Sequence, residues 1–384
     1  MADRLDIDGF EYDDSLATQR RVFVVLKGTG QLAIVEKIIE RKGNKRYGLT
    51  AVTNVAERRY SEGLIALTGL DRDTFDEDTL AIHLASTEPY EIAVDGDRLA
   101  YTSGYRFGLL DLATGTSADF TSDWMSYLHT IEFSEDGQRV LVAATGLDTI
   151  LEIELGSSDV IWDWNAWDHG INHVTLTDSY LSRDRDQAKR LEEGHPGAEV
   201  RLIEDPLTLP REGLATHHSP MNLNGAHYGR DGQILATGYH RPELFVIDRD
   251  GAHERHDLGL TNPHSFRPCG EGYMVADTGS GRLLLLDDDF AIDAVIDVSS
   301  LPADAEKKAG FGEWMQTASP LGESGLFAVV DALRNGVHIV DVPGRRRRFI
   351  PNPPEWTIQA VIDAPIDAEL FTHRMGMHTV SDAQ

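Results

Sequence analysis

The stretch His129–Gly156, HTIEFSEDGQRVLVAATGLDTILEIELG, reads as an inner strand, a tight turn at Gly137, a β-rich strand ending at Gly146, and a further apolar strand closed by acidic residues and a glycine. Asn224–Gly251, NGAHYGRDGQILATGYHRPELFVIDRDG, repeats that order around Gly232 and Gly238. So do Glu91–Gly115, EIAVDGDRLAYTSGYRFGLLDLATG, and His264–Asp289, HSFRPCGEGYMVADTGSGRLLLLDDD. Short apolar runs between turn glycines describe an antiparallel meander. Gly104, Gly146, Gly238 and Gly279 are 42, 92 and 41 residues apart. Four strands every 40 residues or so is the period of propeller blades, and the long interval hides a degenerate copy between about Trp167 and Thr216.

Leu326–Gly344, LFAVVDALRNGVHIVDVPG, is a further copy. Val22–Glu36, VFVVLKGTGQLAIVE, resembles the middle two strands of a blade without its inner strand, which WTIQAVIDAP, Trp356–Pro365, supplies to close the ring. Closure removes the exposed edges that would otherwise pair with other chains. The expected fold is therefore all-β, a single β-propeller domain of four-stranded blades over residues 1–384. The count is seven blades, or six if the degenerate copy is only an insertion. Residues 1–19 form an N-terminal arm, 166–216 the degenerate blade with its inserted loop, and 366–384 a C-terminal tail. A pair of β-sandwiches is the alternative. Helix-like DRDQAKRLEEG (184–194) and PADAEKKAG (302–310) read as surface insertions.

With 41% hydrophobic and 26% charged residues, the 384-residue chain has the composition of a globular protein with a sizeable core. Its 64 acidic and 35 basic side chains give a net charge of −29, which leaves no broad basic surface and makes nucleic acid an unsuitable partner. Scarce lysine beside so many carboxylates suggests a halophilic source, where salt screens the self-repulsion. No secretory signal and no bilayer-spanning stretch are visible, so a cytoplasmic protein with no membrane contact is expected. The single cysteine, Cys269, rules out an intrachain disulfide and a thiolate-rich metal site.

Inner strands of a propeller line a channel, so one repeat position gathers residues that are far apart in sequence. Counting eight residues back from the turn glycines 137, 232 and 272 gives His129, Asn224 and His264. The same count from Gly96 gives Glu88. Other histidines cluster in the middle third: His169, His173, His217, His218, His227, and His240 beside Arg241. No cofactor is required, but His129, His173, His227 and His264 are a possible set for a divalent metal. Trp162, Trp164 and Trp167 read as wedges between blades, and Trp314 or Gln316 faces the channel from the next inner strand. Arg345–Arg348 reads as a solvated loop and Asp287–Asp289 as an acidic turn. GTG at Gly28–Gly30 lacks the strand-to-helix context of a phosphate loop.

The run SDVIWDWNAWDHG resembles the V-W-x-W blade ending of arylsulfotransferase-like propellers, and LHTIEFSEDGQRVL their channel-histidine strand. DGQILATGYHRPELFVID and PHSFRPCGEGYMVADTGSGRLLLLD are similar to their arginine-bearing strand and later histidine blade, so the resemblance covers roughly residues 127–289. It implies transfer of a sulfuryl group from an aryl sulfate to a phenol, with His264 as nucleophile, His129 as sulfate ligand or proton donor, and Arg241 as anion clamp. Asn222-Leu223-Asn224 stands where the family carries a further histidine, leaving His218 or His227 as substitutes. His240, Asn222, Asn224 and, from the inner strand of the next blade, Trp314 complete the candidate substrate contacts, for a small anionic or aromatic ligand in the channel. The alternatives are a non-catalytic propeller that binds a protein partner through the loop Asp168–Thr216, and a histidine-metal hydrolase or lyase.

Overall fold

The computed structural model describes residues 3–29, 62–76, 82–209, 213–303, 312–322, 325–354 and 356–364. Within them the chain forms seven sheets. Five are meanders in chain order, with inner strands Ile92–Asp95, Leu128–Phe133, Leu223–Tyr228, Pro263–Cys269 and Met315–Pro320; these are blades one to five. The sixth, closing blade pairs Trp356–Asp363 with Arg21–Thr29, then Glu62–Gly69 and Ile82–Thr87. The ring is thus closed by N- and C-terminal strands, Asp363 opposite Val22 and Val361 opposite Val24. The third strand of this blade comes from Glu62–Gly69 rather than from the expected continuation to Glu36, which lies outside the described residues. The tail 366–384, with His373 and His378, and most of the 302–310 segment also lie outside them.

Both counts of the repeats have a physical meaning. The seventh sheet, His173–Val174, Ser179–Ser182 and Glu199–Leu202, has only three strands. It does not separate the inner strands on either side of it: Thr130 of blade two donates to Ala226 O of blade three at 3.1 Å and accepts from Ala226 N at 2.9 Å. Six inner strands therefore surround the axis. Six apolar cores tell the same story, each filled from two neighbouring blades, and the three-stranded sheet adds Val174 and Leu181 to the core between blades two and three. Because blades are covered on both faces, their middle strands carry continuous apolar runs, as in buried Val140–Ala144 and Ile234–Ala236.

The tryptophans wedge as expected. Trp164 and Trp167 are fully buried, and the indoles of Trp162 and Trp164 donate to Arg249 O at 2.9 Å and Gly251 O at 3.3 Å in the outer turn of blade three. The helix Arg185–Gly194 is capped by Asp184, whose carboxylate accepts from Gln187 N at 2.7 Å. Asp287 accepts from the backbone N–H groups of Asp289 and Ala291, which makes that segment an acidic turn. The Arg345–Arg348 run is more than a solvated loop: Arg346 holds Asp13 at 3.0 Å, and buried Arg348 donates to backbone carbonyls of Leu70 and Arg72.

The N-terminal residues strap two blades. Asp3–Asp6 runs parallel to Ile292–Asp297 and Glu11–Tyr12 parallel to Arg346–Arg347, so the outer edges of blades four and five are both covered. Between these short strands Ile7 and Phe10 enter the core shared by the same two blades. Deleting residues 1–12 is expected to lower stability by about 3–5 kcal/mol, the worth of two buried apolar side chains. Urea unfolding followed by intrinsic fluorescence measures it; an unchanged midpoint would show that the arm is decorative.

Candidate functional site

The channel position recurs with a backbone signature. Glu88, Tyr127, Asn222 and Asn262 all have φ between 44° and 54°, in the left-handed region, and each stands two residues before a side chain on the channel wall. Those side chains are Tyr90, His129, Asn224 and His264. Asparagine tolerates this conformation, whereas a tyrosine there costs on the order of 1 kcal/mol and is held only by its surroundings. The signature also corrects the register of blade one, where the shorter turn VDGD makes Tyr90, not Glu88, the equivalent of His129. Just beyond, the pairing of the inner strand slips in blades two to five and in the closing blade, at His129–Thr130, Asn224, Ser265–Phe266, Gln316 and Thr357. Such bulges turn side chains out of the ladder.

The wall so formed encloses a small cavity of about 20 Å³, room for one water, lined by Tyr90, Glu91, His129, Asn224, His264 and Gln316 among others. Glu91 of blade one bonds Arg267 of blade four through Oε1 and Nη2 at 2.5 Å. These blades stand three apart in a ring of six, so the ion pair crosses the axis. Both groups are largely buried, and Glu91 Oε2 and Arg267 Nε have no hydrogen-bond partner among the described residues.

His264 is fully engaged. Pro263 O can only accept, so the Asn224 amide must turn Nδ2 toward it, at 2.9 Å; the same Nδ2 then donates to His264 Nε2 at 2.9 Å. Thr237 Oγ1 donates to the other side of that amide at 2.9 Å. His264 therefore carries its proton on Nδ1, which faces Asn262 O at 3.1 Å and Thr278 Oγ1 at 2.8 Å. Burial pushes its pKa down to about 4. This imidazole is neutral, and its lone pair is occupied.

His129 differs. Its Nδ1 lies 3.2 Å from Tyr127 O, so Nδ1 carries the hydrogen and Nε2 the basic lone pair. The ring stacks on Tyr90 with centroids 4.0 Å apart, and meets Tyr127 edge-on at 5.0 Å. Lys27, from the closing blade, donates to Tyr127 Oη at 2.7 Å and to Tyr90 Oη, and the two phenols bond each other. Its ammonium also sits 4.2 Å from the Tyr90 ring centroid. Blades one, two and six thus bring a cation, two phenols and an imidazole to one end of the inner strands.

The other expected site residues lie elsewhere. Arg241 is half-buried, does not line the cavity and makes no side-chain hydrogen bond among the described residues. His218 sits in a short 3-10 turn against His217, and exposed His240 bonds Thr216 O at 2.7 Å. Asn222 is a backbone corner whose N–H donates to Ser219 Oγ. Buried His227 places Nδ1 3.3 Å from Glu132 Oε2, and half-buried Trp314 donates to Gln316. The metal set is not assembled: His173 belongs to the three-stranded sheet and pairs with Asp178 at 3.0 Å, and no group of three or more metal-ligating side chains occurs among the described residues.

Sequence reasoning missed Lys27, Tyr90, Tyr127, Glu91, Arg267 and Gln359. A signal was present for the tyrosines: Glu88-Pro89-Tyr90, Tyr127-Leu128-His129, Asn222-Leu223-Asn224 and Asn262-Pro263-His264 align directly if the turn glycines are ignored. It also missed Asp148, a fully buried carboxylate that accepts from Ser219 Oγ at 2.7 Å, from Leu223 N at 2.9 Å and from the Trp167 indole at 3.3 Å. It clasps both ends of the inserted segment to blade two. Burial raises its carboxyl pKa, an effect these donors offset only in part.

No protein-family model and no curated protein matches the chain. Among solved structures it is similar to a protein of unknown function from Bacteroides caccae, at 12% identity over 90% of this chain and 99% of that one, with a TM-score of 0.51. A streptogramin B lyase structure matches at 14% identity over 69% of this chain and 70% of that one, TM-score 0.43. The virginiamycin B lyase from Staphylococcus aureus matches at 12% over 72% and 84%, TM-score 0.43. At such identities the likeness concerns the propeller fold.

The sulfuryl-transfer expectation is therefore corrected. Asn224 Nδ2 occupies the lone pair of His264 Nε2, and Arg241 does not line the cavity. The halophilic expectation is corrected as well: an acidic excess does not by itself fix a salt-rich source, and Glu152, Asp163, Asp168 and Asp341 are in direct contact with arginines. Nor does the charge assign a compartment. Among the described residues no helix is long and apolar enough to cross a membrane.

His264 yields a pH dependence whose sign is fixed. Its folded pKa of about 4 lies below the ordinary 6.5, so its contribution is complete above pH 6.5 and is lost as pH falls toward 4. The expected loss is roughly 3 kcal/mol. Unfolding free energies at pH 7 and pH 4 for wild type and His264→Gln measure it, and an equal pH dependence in both would refute the assignment.

Proposed function

We propose that this propeller is a lyase acting by general acid–base catalysis at the mouth of its channel. The observation that carries the reading is the Lys27–Tyr127 hydrogen bond of 2.7 Å beside His129, whose ring stacks on Tyr90 with centroids 4.0 Å apart. These side chains, not the likeness to lyases, support it.

In the reaction proposed, His129 Nε2 takes a proton from a carbon acid. The C–H electrons become a carbon–carbon double bond, and the bond from the adjacent carbon to its oxygen or nitrogen substituent breaks. The leaving atom takes the Tyr127 phenolic proton, which Lys27 replaces through their hydrogen bond; solvent returns a proton to Lys27 and removes the one on His129. Tyr90 fixes both partners, by stacking on His129 and by bonding Lys27 and Tyr127. The backbone strain at Tyr127 fits a side chain held in place for use. Asn224 and His264 form the rigid wall behind.

Proton abstraction can be followed without the natural substrate. Aryl ketones and aryl esters with acidic α-hydrogens, incubated with the protein in D₂O, are expected to exchange at the α-carbon as read by proton NMR. His129→Gln is expected to slow the exchange about a hundredfold or more. Exchange no faster than in buffer for every compound, or fully retained by His129→Gln, would overturn the proposal. Tyr127→Phe separates the acid from the base: exchange should survive while expulsion of an unactivated alkoxide at the adjacent carbon falls by a similar factor.

A further inference from the structure

A chain of amides on the channel wall fixes the direction of one more donor. The Trp314 indole can only donate, so the atom of Gln316 that faces it at 2.7 Å is Oε1. The Gln316 amide therefore turns its nitrogen the other way, where Nε2 donates to Gln359 Oε1 at 3.1 Å. Gln359 in turn must present its nitrogen away from that bond. Its backbone is held as well, the Gln359 carbonyl accepting from Thr317 Oγ1 at 2.7 Å. Gln359 lines the same cavity as Tyr90 and His129 and is only 4% exposed, yet its Nε2 makes no hydrogen bond among the described residues. A buried amide with two N–H groups oriented by a relay and no acceptor is a receptor.

The neighbouring space identifies what it receives. About 20 Å³ admits one oxygen-sized group and no ring. Glu91 lines it and places a carboxylate there, already paired with Arg267, and neither a lysine nor an arginine is among its lining residues. An anionic carboxylate of a ligand would be repelled; a neutral carbonyl oxygen would not.

We infer that Gln359 Nε2 binds the carbonyl oxygen of the substrate, so that the proton taken by His129 lies α to a neutral ketone, ester or amide. The inference rests on the acid–base reading above. As the C–H bond breaks, negative charge gathers on that oxygen, and a preoriented donor stabilises it more than it stabilises the ground state. Gln359 is then a catalytic residue and a specificity determinant, and Trp314 and Gln316 are positioning residues that set its amide.

Acetophenone carrying ¹³C at the carbonyl, observed by isotope-edited infrared spectroscopy, reports the contact without turnover. The bound carbonyl band is expected to shift to lower frequency than in water with wild type and with His129→Gln. Gln359→Met should abolish the shift and slow α-exchange about a hundredfold. Trp314→Phe, which leaves the wall filled but frees the relay to reverse, should weaken both. A band at its aqueous position with wild type, or a shift that survives both variants, would overturn the inference. Loss of exchange in His129→Gln with the band shift intact supports both proposals, whereas a band shift without any exchange in wild type would sink the acid–base reading alone.

Discussion

A single ion pair, Glu91 to Arg267, crosses the axis of this molecule and decides what its channel can be. Six inner strands point polar groups toward one line, and two opposite blades meet there in a contact shielded from water. A buried pair of this kind gains strength from the low dielectric but leaves no surplus charge for a ligand. With the axis neutralised, the remaining wall is made of amides, hydroxyls and the imidazoles of His129 and His264, and the inner strands lock laterally through Thr130 to Ala226, Asn224 to Pro263 and Thr317 to Gln359.

The contrast between His129 and His264 follows from that arrangement. They occupy the same repeat position, with the same left-handed residue two places earlier. His264 has an asparagine on one side and a carbonyl and a threonine on the other, and burial holds it neutral. His129 instead faces the aromatic rings of Tyr90 and Tyr127, brought close by Lys27 from the closing blade. A repeat fold can use one position as packing in one blade and as chemistry in another, since only the neighbours differ.

The inserted three-stranded sheet is fastened from below by Asp148. Its carboxylate takes donors from Trp167, where the insertion begins, and from Ser219, Met221 and Leu223, where it ends. Without such a clasp, roughly fifty residues would interrupt the contact of blades two and three. With it, Thr130 and Ala226 pair as though the insertion were absent. Leu223 is also the residue before Asn224, so the clasp fixes the backbone from which the His264 network hangs.

The sequence by itself determined the propeller. Turn glycines at a fixed interval and apolar runs buried on both faces are local properties, and the need to close the ring follows from edge chemistry whatever the loops do. It also placed His129, Asn224 and His264 at one level, because strand periodicity preserves register between equal turns. It misplaced blade one by two residues where the turn was shorter, so Tyr90 was hidden behind Glu88. Only the tertiary structure could decide that Lys27 meets Tyr127, that Glu91 meets Arg267 across the axis, and that the Trp314 indole orients Gln359. Those contacts join residues up to 176 positions apart, and their hydrogen-bond directions depend on which neighbour can only donate and which can only accept. Neither the distance nor the direction leaves a period in the chain.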